Sequence, residues 1–146
     1  MNFRPLTLAN AAEAFELDQR CFPPAIAYSA VEIRGYLRLP GFHLGCREAD
    51  NGPLLGLILT VQNRGRGHVI TVDIDPGARR RGIGERLMRV SEQYYHARKA
   101  RGMRLEAAVN NSGALAFYAR LGYRITATLP HYYAADLDGV RLELDF

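Results

Sequence analysis

The stretch "HVITVDIDPGARRRGIGERLM", His68 to Met88, constrains the fold more than any other part of the chain. A β-branched run stops at Pro76, a glycine turn follows three arginines, and a helix starts on top of that turn. From Gly84 the apolar positions Leu87, Val90, Tyr94 and Ala97 recur with helical spacing, with Glu85, Arg89, Glu92 and Lys99 on the other side and Gly102 as the closing glycine. "MRLEAAV" then reads as a strand. Strand, helix and strand in this order make a crossover unit, which favours parallel pairing of the two strands. The helix start leaves backbone N–H groups unpaired at its positive dipole end. Glycines there let a ligand approach the backbone, so the turn outlines an anion site.

The remaining segments supply a sheet for this unit. A short strand around Asn2 to Pro5 precedes a helix "AAEAFELDQRCF" capped by Asn10 and stopped by Pro23 and Pro24. Ser29 followed by Glu32 is a capping box for a second helix, which Pro40 ends. "FHLGCRE" and "LLGLILTVQ" around the turn "ADNGP" predict a hairpin, with "HVITVDID" as the next strand. Beyond "MRLEAAV", "NNS" is a turn and N-cap, "GALAFYARL" a short helix stopped by Gly122, and "YRITATL" and "VRLELDF" two final strands. The order βααβββαβαββ predicts an α+β fold: one mixed sheet of about seven strands flanked by four helices.

With 146 residues and 48% hydrophobic content, the chain is expected to form a single domain, residues 1–146. No apolar run reaches membrane-span length and the N-terminus lacks signal-peptide order, so the expected location is cytoplasmic, with no membrane partner. Cys21 and Cys46 fit no metal spacing and are expected to be reduced. His43, His96 and His131 form no ligand set either, so no metal is predicted. The formal charge is +4, and Lys99 is the only lysine among 19 basic residues. The one dense basic cluster is Arg79, Arg80 and Arg81, and no aromatic platform accompanies it, which disfavours nucleic acid as a partner.

Among glycine-rich loops, a Walker sequence is excluded by Glu85-Arg86 and a dinucleotide fingerprint by Leu87 where a third glycine belongs. Arg79-x-x-Gly82-x-Gly84, after a strand and before an amphipathic helix, instead resembles the (Q/R)-x-x-G-x-(G/A) signature of the Gcn5-related N-acetyltransferase superfamily. "RLEAAVNNSGALAFYARLGYRI" is similar to the superfamily's following segment, with matching spacing from Gly82 through Glu106, Asn111 and Tyr118 to Leu121-Gly122-Tyr123. Within the superfamily the likeness is to RimI-type protein N-terminal acetyltransferases. It extends to "DQRCFP" and "HYYAADLDG".

The resemblance implies that fold and acetyl-CoA as donor. Backbone from Arg80 through Arg81, Gly82, Ile83 and Gly84 to Glu85 would hold the pyrophosphate, with Arg79 nearby. The strand end Val72, Asp73 and Ile74 would pair with the pantetheine amides, and Asn111 would bind that arm from the other side. Glu106 falls at the position of the general base and Tyr118 at that of the acid beside the thioester sulfur. His68 matches a position that some relatives use in catalysis; as a residue it reads as an exposed strand-end histidine. Asp73, unusual on this strand, is expected either to face outward or to polarise the acceptor site.

The acceptor groove is expected between "CFPPAIAYS", with Tyr28, and the loop "LPHYYAADLDG". There Tyr132 and Tyr133 match paired tyrosines that clasp a peptide's first residues. A peptide or protein α-amine is the expected acceptor. Phe22-Pro23-Pro24 in place of "FPW", and Val140-Arg141 in place of an acidic pair, leave open a small amine such as a polyamine, an amino acid or an aminoglycoside. A non-catalytic acyl-CoA sensor would keep the cradle without needing Glu106 or Tyr118. The oligomeric state is not encoded in any of these features.

Overall fold

A computed structural model describes residues 1–146. Seven strands form one sheet in the order β1-β2-β3-β4-β5-β7-β6. They are β1 (Asn2–Pro5), β2 (His43–Arg47), β3 (Leu54–Asn63), β4 (Arg66–Ile74), β5 (Gly102–Ala108), β6 (Arg124–Ala134) and β7 (Leu137–Asp145). The helices are α1 (Ala11–Cys21), α2 (Ala30–Arg38), α3 (Ile83–Ala97) and α4 (Ser112–Arg120). Fold class, element order and the β2–β3 hairpin agree with the expectations from sequence. No helix is long and apolar enough to cross a membrane.

Each face of the sheet carries its own core. Leu17, Ile33 and Leu37 of α1 and α2 pack on Leu57 and Leu59 of β3. Opposite them, Leu87, Met88 and Tyr95 of α3 pack on Val69, Met103 and Leu105. Fully burying one such leucine contributes about 2 kcal/mol, so several of them hold each helix layer to its face of the sheet.

The crossover through α3 makes β4 and β5 parallel, but they pair only at Gly67↔Met103 and His68↔Arg104. Beyond those pairs the strands part. β3 covers the other edge of β4 from Arg66 to Ile74, with one irregularity: Leu59 lies opposite Thr71 and Thr60 opposite Val69, so Ile70 is an extra residue in β4. This bulge exchanges the faces of the residues that follow it.

Several local expectations need correction. Asn10 occupies the N-cap position of α1 but makes no cap bond there; its side chain instead completes a capping box with Thr7 one turn earlier. Gly102 opens β5, and α3 has already ended at Ala97. Glu92 is buried rather than on a polar face, because the Tyr123 hydroxyl donates to it at 2.9 Å and Arg89 pairs with it. The buried stripe of α3 is Ile83, Leu87, Met88, Ser91, Glu92 and Tyr95; Val90 and Tyr94 flank it and Ala97 is exposed. The segment before the last strand is also no free loop, since β6 runs to Ala134. Ser29 and Glu32 do form the predicted capping box, and Gly122 ends α4 at φ 99°.

Candidate active site

The gap between β4 and β5 opens toward the start of α3. Gly82 caps that helix at φ 79°, a conformation that favours glycine, and a Cβ built there would meet nothing within 4 Å. The first helical hydrogen bond, Arg86 N to Gly82 O, is 3.1 Å, so Ile83, Gly84 and Glu85 present N–H groups with no preceding carbonyl in the helix. An open backbone cradle at a positive dipole end suits a pyrophosphate. Gly84 serves a different contact: a Cβ there would lie 3.3 Å from Cζ of Phe117. Its lack of a side chain lets α4 approach α3.

The three arginines are not equivalent. Arg79 folds back, donating from Nε to the Ile74 carbonyl at 3.3 Å, and Arg81 pairs with Glu48 at 2.5 Å. Arg80, at φ 64°, is exposed and makes no ion pair. Along the strand, the edge of β4 from Val69 to Ile74 faces the gap without a strand partner. The Ile74 carbonyl is already taken, since the Cys21 thiol also donates to it at 3.3 Å. Cys21 and Cys46 are both free thiols. Across the gap, Asn111 caps α4 by accepting from Ala114 N at 3.1 Å, which leaves its side-chain NH₂ as a free donor.

Asp73 neither faces outward nor lines the acceptor site. The bulge at Ile70 turns it toward α1, where it is fully buried.

Glu106 sits on β5 within the gap, on the face opposite Leu105 and Ala107 as alternation requires. His68 approaches it with Nε2 at 2.6 Å from Oε1. Arg104 lies with Nη2 3.3 Å from His68 Nδ1 and Nε 3.4 Å from Glu106 Oε2. Because arginine only donates, Nδ1 must accept, which puts the His68 proton on Nε2 and directs it at Glu106. His68 is therefore a half-buried partner of the carboxylate and not an exposed strand-end residue. Burial pushes Glu106 up, but the His68 hydrogen bond and the charges of Arg104 and Arg141 outweigh burial and hold the carboxyl below its usual range. Arg104 had no signal of its own in the sequence. Its placement follows from the parallel pair His68↔Arg104.

Tyr118 lines the same small cavity, of about 80 Å³, together with Glu106, Asn111, Tyr28 and Tyr133. Burial, with a smaller contribution from the charge of Asp73, pushes its phenol well above the ordinary range, so it stays protonated. The Tyr28 hydroxyl donates to the Ile70 carbonyl at 3.3 Å, and its ring meets Tyr36 edge-on at 5.3 Å. Between Leu129↔Gly139 and Ala134↔Leu137, four residues of β6 lie opposite one of β7. This wide bulge carries Tyr132 and Tyr133, whose rings meet edge-on at 4.9 Å. The Tyr132 hydroxyl reaches Glu106 Oε1 at 3.5 Å. Gly139 lies beneath both rings, where a Cβ would come within 3.1 Å of Tyr133.

A seven-stranded sheet splayed at its centre, with a helix N-terminus at the mouth of the gap, is the architecture of an acetyltransferase fold. Residues 11–123 match the acetyltransferase (GNAT) family, and the chain belongs to that family. It is 35% identical over 91 residues to an uncharacterized N-acetyltransferase of Methanocaldococcus jannaschii, a match covering 62% of this chain and 58% of that one. It is 36% identical over 81 residues to an N-alpha-acetyltransferase of Arabidopsis thaliana, covering 56% of this chain and 43% of the relative. The chain thus spans about half the length of these relatives. The ribosomal-protein-S18-alanine N-acetyltransferase of Escherichia coli has the same fold, with a TM-score of 0.83 at 21% identity, over 99% of this chain and 92% of that one.

Proposed function

We propose that the protein transfers the acetyl group of acetyl-CoA to the α-amine of a peptide or protein N-terminus. The observation that carries the acceptor is the β6 bulge, which hangs Tyr132 and Tyr133 over Glu106 with one hydroxyl 3.5 Å from the carboxylate. Tyrosines combine apolar area with a polar tip, which suits a peptide backbone entering between this bulge and Tyr28.

Acetyl-CoA supplies an activated acyl group on a thiolate leaving group. The backbone of Ile83 to Glu85 and the side chain of Arg80 would hold its pyrophosphate; the free edge of β4 at Val72 and Asp73 would hold the pantetheine amides, with Asn111 opposite. Both Arg79 and Arg81 would act indirectly, by fixing the turn. Glu106 would serve as base, but not by deprotonating the ammonium outright. Moving a proton from an α-ammonium of pKa about 8 to a carboxyl held below its usual range by His68 and the arginines costs far more than drawing on the neutral amine fraction at pH 7, which costs about 1.4 kcal/mol. The neutral amine therefore attacks. Glu106 takes its proton, directly or through one water, once the C–N bond is forming and the nitrogen has become strongly acidic. Tyr118 gives its proton to the departing sulfur. His68 and Arg104 hold the carboxylate in place throughout.

The test is an acceptor panel of peptides with varied first residues, polyamines, free amino acids and aminoglycosides, read by thiol release and product mass. The expected result is the highest kcat/KM with a peptide. A small amine exceeding every peptide would overturn the acceptor assignment, and thiol release with none of them would favour the acyl-CoA sensor.

A further inference from the structure

The buried carboxyl of Asp73 has no place in this chemistry, and neither does that of Asp18, which α1 delivers to it. The positions Ala14, Leu17 and Asp18 form the buried stripe of α1, so an acid lies where an apolar residue belongs. Both aspartates are 0% exposed. Each has one satisfied oxygen: Thr71 Oγ1 donates to Asp73 Oδ1 at 2.5 Å, and the Tyr28 backbone N–H donates to Asp18 Oδ2 at 2.7 Å. Their other oxygens, Asp18 Oδ1 and Asp73 Oδ2, are fully buried and have no donor. The two side chains lie within hydrogen-bond reach of one another.

Two ionised carboxylates in contact without a donor carry both a desolvation penalty and mutual repulsion, and one proton between the two free oxygens removes both. We propose that Asp18 and Asp73 share one proton, and that this pair is a positioning link tying the Tyr28 backbone, on the acceptor side, to the donor strand β4. The link rests on the reading of the α1–α2 segment as a wall of the acceptor groove. Burial and the neighbouring Asp18 both push Asp73 well above its ordinary value, while Thr71 opposes them.

Nothing packed around the pair neutralises it. From α1, Arg20 pairs with Asp75, and the Cys21 thiol, pushed up to about 11 by burial and then by Asp73, stays neutral. Arg79 is spent on the Ile74 carbonyl. The phenols of Tyr28 and Tyr118 are both held neutral by burial. When the shared proton is lost at high pH, two charges face each other across the α1–β4 contact. The amide of Tyr28 then loses its fixed acceptor, and the groove wall loosens while the cradle at Gly82 is unaffected.

Asp73→Asn tests this, because an amide supplies the missing hydrogen permanently and carries the same net charge as the proton-sharing pair. A group whose pKa is raised on folding destabilises the native state progressively as pH climbs from its unfolded value of about 3.9 to its folded one. Melting curves of wild type and Asp73→Asn should therefore diverge with pH. The Tm gain of the variant is expected to be about 4 °C or more larger at pH 8 than at pH 4.5. A gain that does not change with pH, or no gain at all, overturns the shared proton. Hydrogen exchange at the Tyr28 amide, beyond its intrinsic rise, should accelerate at least tenfold in wild type but not in Asp73→Asn across the pH range in which their melting temperatures diverge; equal behaviour overturns the link. Peptide KM should rise roughly threefold over the same range in wild type alone, with acetyl-CoA KM flat. The melting and exchange arms need no turnover. If they succeed while no amine is acetylated, the pair stands and the acetyltransfer reading fails.

Discussion

On the proposed function, the donor and acceptor sides of the gap are made of different material. On the donor side the contacts are backbone: three N–H groups at the start of α3, a free strand edge and a glycine at φ 79°. On the acceptor side they are side chains: Glu106 with His68 and Arg104, then Tyr28, Tyr132 and Tyr133. A backbone site tolerates most substitutions, because any residue supplies an N–H, and fails only where a Cβ cannot be accommodated. A side-chain site changes with each replacement. Under that proposal the chain can keep one donor while its acceptor is free to diverge.

The largest effect is expected at Glu106. Glu106→Gln keeps an acceptor for His68 but removes the proposed base, and kcat should fall about 10²- to 10³-fold in steady-state assays. Because wild-type Glu106 is held low, it stays ionised as pH falls until below the usual carboxylate range, so the acid limb of kcat/KM should follow the amine. Replacing an acceptor of higher amine pKa by one of lower pKa should shift that limb downward; a limb that ignores the acceptor would break the assignment.

Next comes the cradle. Gly82→Val forces a β-branched residue into a left-handed conformation and fills the open space over the turn. Acetyl-CoA affinity by calorimetry should drop roughly tenfold or more, with peptide KM close to wild type. Equal damage to both substrates would erase the distinction between the two sides.

Tyr132→Phe removes the hydroxyl near Glu106 and keeps the ring, so peptide KM should rise about three- to tenfold while acetyl-CoA KM does not move. The smallest effect separates the arginines. Arg80→Ala should weaken acetyl-CoA two- to fivefold, roughly the worth of one exposed charge at a helix N-terminus, and the loss should shrink at high salt. Arg81→Ala, whose partner is Glu48, should change affinity less.

The donor side and the sheet were legible in the sequence because they depend on period and punctuation: the crossover through α3, the glycine turn, the capping box at Ser29 and Glu32. Glu106 was legible as an acid on an otherwise apolar strand. What escaped is whatever depends on an inserted residue or a distant partner. Strict alternation from His68 would place Asp73 on the opposite face from the one it takes, and nothing in "VITVD" marks Ile70 as extra. The tyrosine pair was read on a loop because Pro130 breaks the strand pattern, whereas the structure bulges and resumes pairing at Ala134. Glu92 looked solvent-facing until Tyr123, 31 residues away, supplied a donor. Asp18 carried a faint signal, an acid in the apolar stripe of α1, whose meaning depended on a strand not yet placed.

The unpaired Ile70 is, in effect, a change of parity written into a strand. Ahead of it, even-numbered side chains face α1 and α2, so His68 can meet Glu106; behind it the odd-numbered ones do, so Asp73 can meet Asp18. A single strand thereby serves two clients that a uniform ribbon would place on opposite sides of the sheet. Removing Ile70 alone would leave an evenly pleated strand in which Thr71 and Asp73 still face α1 and Val72 still faces the layer under α3, so what the extra residue adds of its own is the local bend and twist of β4.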